Sequence, residues 1–196
     1  DVAGAGAAAC KRYAAAAATA RALPAPGLLG RAALGFAGRW SVLGRVDDRR
    51  REFLEEALAA LGEEDTPLRA RLLARLALEL YYGGDPERRL AISGEALTLA
   101  RLTGDPHTLA VCLDARHYAL WRPGNVDERL EVAAELRQVA EATGDAELEL
   151  EGAGWTVVDL LELGDVQGAD IQIAAASKLA EAMQVPLWLW WTALFR

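Results

Sequence analysis

The chain of 196 residues is long enough for one domain with a sizeable core, because 53% of its residues are hydrophobic. Its formal net charge of -8 argues against binding to nucleic acid or to an anionic membrane surface, since both would repel it. The only two cysteines, Cys10 and Cys112, stand far apart in sequence. We therefore expect two free thiols and a reducing, cytoplasmic location.

Glycines recur at a fixed interval along the chain. Four of them are spaced by 40 residues, namely Gly44, Gly84, Gly124 and Gly164. A second set, Gly104 and Gly144, is offset from the first and has the same spacing. A period of this length with two helices per unit is the signature of an α-solenoid. The sequence predicts an all-α, right-handed superhelix of about ten antiparallel helices, with repeats of about 40 residues.

In chain order, the predicted helices span residues 2–22, 27–43, 48–61, 67–82, 86–103, 106–121, 126–143, 146–163 and 166–183, and the last begins at residue 187. Asp85 and Asp105 each precede a proline, which is the pattern of a capping residue before the first helical position. Asn125, Asp145 and Asp165 are predicted caps without proline. The short loops make neighbouring helices antiparallel.

Pairing the helices predicts whole repeats at 27–65, 66–104, 105–144 and 145–184 within a single helical-repeat domain over 1–196. Residues 1–26 would hold the second helix of a partial repeat, and residues 185–196 would begin a truncated one. Arrays of this kind end in polar capping repeats. Because neither end has that character, we expect the chain to be an excised piece of a longer array.

The first helix of a predicted repeat ends in large residues before Gly-Asp or Gly-Asn, as at Tyr81 and Tyr82. The following helix carries a Glu-Ala-Leu motif, as at Glu95, Ala96 and Leu97. This pattern resembles the tetratricopeptide repeat, although the period is longer than the roughly 34 residues of that family.

The amino-acid sequence of four segments resembles the repeat region of large actinobacterial signalling ATPases. These segments are residues 31–40, 68–77, 114–121 and 157–165. The ATPases are LuxR-type or adenylate-cyclase-associated proteins with a MalT-like layout. The resemblance implies a protein- or peptide-interaction or sensor segment within a larger bacterial signalling or transcriptional regulator. Other domains of the same polypeptide are then possible partners. We expect no enzymatic activity and no cofactor in this segment.

The tetratricopeptide resemblance also implies that the first helices of the repeats line a concave face. Carried over by position, this face comprises Arg39, Glu79, Tyr82, Arg116, His117, Trp155 and Asp159. Its mixture of charged and aromatic residues suits a protein or peptide partner. A small-molecule receptor with an aromatic-lined groove is the alternative, and Trp155 is its best candidate residue.

A second alternative is an all-α enzyme that holds Mg²⁺ through Asp47, Asp48 and Glu52. Against it, three arginines lie inside this motif, and Asp47 or Asp48 is equally suited to capping the third helix. His107 and His117 are about 15 Å apart along one predicted helix and cannot share a metal. We expect a surface or groove position for His117.

Three tryptophans, Trp188, Trp190 and Trp191, cluster in the last predicted helix. Three tryptophans within four consecutive positions point in different directions around the helix, so they cannot all face the core. An exposed apolar patch is therefore expected. The sequence therefore predicts a homodimer through residues 187–196, formed about a two-fold axis with the same patch used twice.

Overall fold

The computed structural model describes residues 2–23, 25–38 and 46–195, with the side chains of the first helix from Ala8 onward. In these ranges the chain forms ten helices and no strand, which confirms the predicted all-α, solenoid-like fold. The helices are α1 (Val2–Arg21), α2 (Pro26–Ala37), α3 (Asp48–Leu61), α4 (Thr66–Glu79), α5 (Pro86–Thr103), α6 (Pro106–Ala119), α7 (Val126–Thr143), α8 (Ala146–Glu162), α9 (Val166–Met183) and α10 (Pro186–Leu194).

The helices fall into two compact units, Asp1–Ala119 and Leu120–Arg196. Within each unit, helices that follow one another in sequence pack together. No helix in the described part of the chain combines the length and the apolar character that a membrane crossing would need.

Aspartates begin most of the helices. In each case a side-chain oxygen accepts a hydrogen bond from a backbone N–H of the first turn, which is the usual arrangement of an N-cap. These residues are Asp47, Asp65, Asp85, Asp105, Asp145 and Asp165. Asn125 stands at the N-cap of α7 as predicted, but its side chain makes no capping hydrogen bond, and its Nδ2 instead donates to the Leu120 carbonyl at 3.3 Å.

Three of the odd-numbered helices end at a residue in the left-handed conformation. Helices α5 and α7 stop at Gly104 and Gly144, whose φ angles of 67° and 68° lie in the left-handed region that favours glycine. Gln184 takes the same conformation after α9, with φ of 54°. Helix α4 ends at Glu79, three residues earlier than predicted, because the chain turns at residues 80–83.

Helix α2 is also shorter than predicted. It ends at Ala37, and Gly38 follows with a positive φ of 70°. The remainder of the predicted helix, residues 39–43, lies outside the described residues.

In the first unit, α4 is the central helix and packs against α2, α3, α5 and α6. The even-numbered helices α2, α4 and α6 lie side by side, with α4 in the middle. Because consecutive helices are antiparallel, these alternate helices run in the same direction. Fully buried leucines such as Leu72 and Leu76 fill the interior of this unit. Burial of each stabilises the fold by about 2 kcal/mol relative to exposure.

An arginine and an aromatic ring close each of two equivalent turns. The Arg89 guanidinium carbon lies 4.8 Å from the centroid of the Tyr81 ring, and Arg89 Nη1 donates to the Tyr81 carbonyl at 3.3 Å. One repeat later by sequence spacing, Arg129 lies 5.6 Å from the centroid of Trp121. In both cases the arginine is in the first turn of an odd-numbered helix and the ring follows the preceding even-numbered helix. We call this contact the arginine–aromatic clasp.

Arg129 also makes a buried ion pair in the second unit. Its Nε lies 3.0 Å from Oδ1 of Asp159, with side chains that are 0% and 1% exposed. Its Nη2 donates to Glu162 at the end of α8. Helix α7 is thereby joined to α8 by two carboxylates and one guanidinium.

The buried pair gives a stability prediction. Changing Arg129 to alanine leaves the Asp159 carboxylate in the interior without the guanidinium, so we expect a loss of about 3–5 kcal/mol. The double variant Arg129→Met/Asp159→Leu removes both charges and should recover most of that loss. Urea unfolding followed by circular dichroism measures both.

The exposed ion pair of Arg21 and Glu56 provides the matched control. The variant Arg21→Ala should change the free energy of unfolding by only about 0–1 kcal/mol, as is usual for surface pairs. An equally small effect of Arg129→Ala would contradict the structural role of the buried pair.

Candidate functional site

Three tyrosines meet where α4 ends beside α6. The ring centroid of Tyr81 lies 4.5 Å from that of Tyr118 and 4.9 Å from that of Tyr82, both edge to face. The hydroxyls of Tyr82 and Tyr118 are hydrogen-bonded to each other. Tyr82 is 38% exposed, so this group of rings reaches the surface. We call these three residues the tyrosine cluster.

A buried ion network lies next to the tyrosine cluster. Arg75 and Glu79, one helical turn apart in α4, form an ion pair, and Arg50 Nη1 of α3 lies 3.7 Å from Glu79 Oε1. Arg75 Nη2 also donates to the Ala37 carbonyl at 3.1 Å, where α2 ends. Burial lowers the pKa of the Arg75 guanidinium, and the charge of Glu79 opposes that shift. The network ties α2, α3 and α4 together.

Asp114 of α6 joins the two groups. Its carboxylate acts electrostatically on both Arg75 and Tyr118. Asp114 and Tyr118 are four residues apart and therefore share one side of α6. On α4, Arg71 and Leu78 are seven residues apart and therefore also share one side of their helix, and Tyr82 follows in the turn after it.

These positions define a surface of the first unit. All of them are half-buried except Tyr82, which is exposed. The surface presents one cation, one anion, two hydroxyls and two aliphatic side chains. Its members are Arg71, Leu78, Tyr82, Val111, Asp114 and Tyr118, and we call it the α4–α6 face.

Arg116 and His117 do not belong to this face. Arg116 Nη1 donates to the Leu90 carbonyl at 3.1 Å and to Ser93 Oγ at 3.2 Å, so this side chain is directed toward α5. Residues two positions away on a helix differ by about 200° in direction, which places Asp114 and Tyr118 on the opposite side. His117 is fully buried, so the expectation of a surface or groove histidine is wrong.

The other residues of the predicted concave face have different positions. Arg39 lies outside the described residues. Glu79 belongs to the buried ion network, and Tyr82 belongs to the α4–α6 face. In the second unit, Trp155 is half-buried and its ring centroid lies 5.3 Å from that of Trp121. Asp159 is buried in its ion pair with Arg129.

Sequence reasoning missed Asp114 and Tyr118 as surface residues. Both stand on the same predicted helix as Arg116 and His117. The sequence left undetermined only which side of that helix faces the interior. The repeat spacing contained a signal. Tyr118 stands 40 residues after Leu78, which is four residues before Tyr82. Side-chain direction, however, required the contact between Arg116 and α5.

Two of the three acidic residues proposed for Mg²⁺ make other contacts, and the third, Glu52, is exposed. Asp47 caps α3 by accepting from the Arg50 backbone N–H at 3.4 Å, which confirms the capping interpretation. Asp48 Oδ1 lies 2.8 Å from Arg51 Nη2. Across the residues that the structure describes, no three His, Cys, Asp or Glu side chains are grouped to hold a metal ion.

Both cysteines are free thiols, as predicted. The Cys112 thiol is buried and donates to the Ala70 carbonyl at 3.6 Å. Burial raises the pKa of this thiol to about 12. Cys112 therefore remains protonated near neutral pH, and it packs as a small apolar side chain.

Comparison with known proteins finds no family model and no curated protein that matches the chain. The chemistry of the α4–α6 face is therefore the starting point for functional inference.

Tyr118 gives a prediction about pH. Burial raises the pKa of its hydroxyl, and the hydrogen bond with Tyr82 and the charge of Asp114 raise it further. In the unfolded chain Tyr118 ionises near pH 10, so above that pH the unfolded state binds fewer protons than the folded state. The free energy of unfolding must then fall as the pH rises.

The variant Tyr118→Phe has no hydroxyl group to ionise at this position. It should be less stable than the wild type at neutral pH, by about 1 kcal/mol for the lost hydrogen bond. The difference should shrink as the pH rises above about 10, because only the wild type loses the contribution of Tyr118. Urea unfolding at several pH values tests this, and a difference that stays constant would contradict it.

Proposed function

We propose that the chain is a non-enzymatic, tetratricopeptide-like repeat module that binds a protein or peptide segment on the α4–α6 face. The segment belongs to a partner protein or to another domain of the same polypeptide. The single observation that carries this proposal is the tyrosine cluster, which reaches the surface at Tyr82.

The chemistry of the face suits a peptide. A tyrosine ring offers apolar contact area with few rotatable bonds, and its hydroxyl both donates and accepts hydrogen bonds. Aromatic residues and arginine are enriched at protein interfaces for these reasons. Arg71 and Asp114 add one charge of each sign, which would fix the direction and register of a bound segment.

The contacts among the tyrosines favour binding without rearrangement. Tyr82 and Tyr118 are hydrogen-bonded to each other, and Tyr81 is in contact with both Arg89 and Tyr118. Side chains that are already ordered lose little entropy when a partner binds, so more of the contact energy appears as affinity.

The wider role follows from the sequence resemblance. A repeat module of this kind would be a sensor or interaction segment in a bacterial signalling or transcriptional regulator of the cytoplasm. The acidic composition supports a protein partner instead of nucleic acid.

The test uses a peptide selected for binding to the whole chain from a displayed library of random short peptides. Truncation of a central aromatic residue at an interface costs about 2 kcal/mol, so Tyr82→Ala should weaken binding of the selected peptide about thirtyfold. Fluorescence anisotropy of the labelled peptide gives the Kd.

Leu102→Ala is the control, because Leu102 is a large exposed side chain on α5, outside the α4–α6 face. It should leave the Kd unchanged. Selected peptides that tolerate both Tyr82→Ala and Asp114→Asn would contradict the proposal. Displacement of the peptide by free aromatic amino acids would favour the alternative of a small-molecule receptor.

A further inference from the structure

We propose that the segment bound on the α4–α6 face carries an aspartate or glutamate side chain that pairs with Arg71. This inference rests on the proposed function and adds the chemistry of the partner at one position. Three features carry it: the contacts of Arg71, the balance of charge around it, and its distance from the tyrosine cluster.

Arg71 is the half-buried arginine of this face. Its guanidinium forms no hydrogen bond and no ion pair in the part of the chain that the structure describes. The arginines before and after it in α4 are both paired, since Arg69 lies 2.9 Å from Glu95 and Arg75 pairs with Glu79. A half-buried guanidinium loses part of its hydration, and a carboxylate from a bound segment would replace what is lost.

The charge of Arg71 acts toward α6. Burial raises the pKa of the Cys112 thiol, and the positive charge of Arg71 opposes that rise. Because Cys112 belongs to α6, the guanidinium lies near the line along which α4 and α6 meet. Arg71 is also partly exposed, so a segment that lies along this line can reach it.

The charges next to Arg71 balance without it. The ion network and the carboxylate that joins it comprise two arginines and two acidic residues, namely Arg50, Arg75, Glu79 and Asp114. Arg71 adds one further positive charge to this group. A single carboxylate matches that charge, whereas a phosphate group carries nearly two negative charges and would leave an excess.

The first unit as a whole does not repel an acidic segment. Residues 1–119 contain 15 acidic and 16 basic side chains, a net charge of +1. Residues 120–196 contain 14 acidic and 5 basic side chains, a net charge of -9. The negative charge of the chain therefore belongs to the second unit, and an acidic segment would be steered to the first.

Helix geometry sets the position of the acidic residue in the segment. Arg71 and Leu78 are seven residues apart, which is about 10 Å along α4, and the tyrosine cluster begins beyond Leu78. An extended segment covers about 3.3 Å per residue. The acidic residue should therefore stand at least about three positions from the residue that packs on Tyr82.

The experiment uses peptides that were selected on the whole chain and lose affinity for Tyr82→Ala. The displayed library is fused to its carrier at the C-terminal end, and the labelled peptides are amidated, so that every carboxylate is a side chain. We expect the selected peptides to share an acidic residue at one position. Arg71→Gln should weaken their binding at least about tenfold, the usual effect of losing a hydrogen bond between charged groups.

Replacing the shared acidic residue of the peptide by its amide should have the same effect on the wild type. The two changes together should weaken binding no more than either alone, because both remove one contact. Arg71→Glu should reverse the preference and bind a peptide with lysine at that position more tightly than the original. Arg12→Gln is the matched control, since Arg12 is an exposed arginine of α1 outside the face, and it should leave the Kd unchanged.

The outcomes separate this inference from the proposed function. Peptides that depend on Tyr82 but bind Arg71→Gln as tightly as the wild type would overturn the inference alone. So would Tyr82-dependent peptides that share no acidic residue. Peptides that bind Tyr82→Ala and Asp114→Asn unchanged would contradict the proposed function and the inference with it. Circular dichroism melts show whether each variant is folded.

Discussion

In the first unit, an arginine over an aromatic ring closes the turn between α4 and α5. Arg89 contacts the Tyr81 ring and the carbonyl of the same residue, and Tyr118 packs against the same ring. Arg129 holds the Trp121 ring in the equivalent turn of the second unit. The clasp therefore does two things at once. It closes the turn between helices, and it orients the aromatic residues from which the candidate surface is built.

Buried charge is the second feature that the two units share. Glu79 and Asp159 occupy equivalent places, 80 residues apart, and each is paired with a buried arginine. The partners come from different places: Arg75 precedes Glu79 by one turn of α4, whereas Arg129 belongs to α7. The two units thus pair the equivalent acidic residue with an arginine from a different helix position. Removing charges from water is costly, so such pairs fix the packing of the helices more than they add stability.

The helices were predictable because their ends are encoded locally. Asp165, for example, caps the helix that begins next to it, and Gly144 ends the helix just before it. The spacing of such residues was therefore enough to predict where the helices begin and end. The candidate site was predictable only in part. Buried residues surround most of α6, so its periodicity does not indicate which side is exposed, and His117 was placed outside although it is inside. Trp191 packs against Gly154, a contact between distant residues that no local pattern contains.

The most direct test of this account is a double-mutant cycle on the clasp in the first unit. Urea unfolding would compare the wild type, Arg89→Met, Tyr81→Leu and the double variant, where methionine keeps the length of the arginine stem but not its charge. The account predicts that the losses in unfolding free energy of the two single variants add up to more than the loss in the double variant. The difference should be about 1 kcal/mol or more, the energy of a partly buried cation–π contact. Losses that add to within about 0.3 kcal/mol would contradict it, because additivity is the behaviour of residues that do not interact.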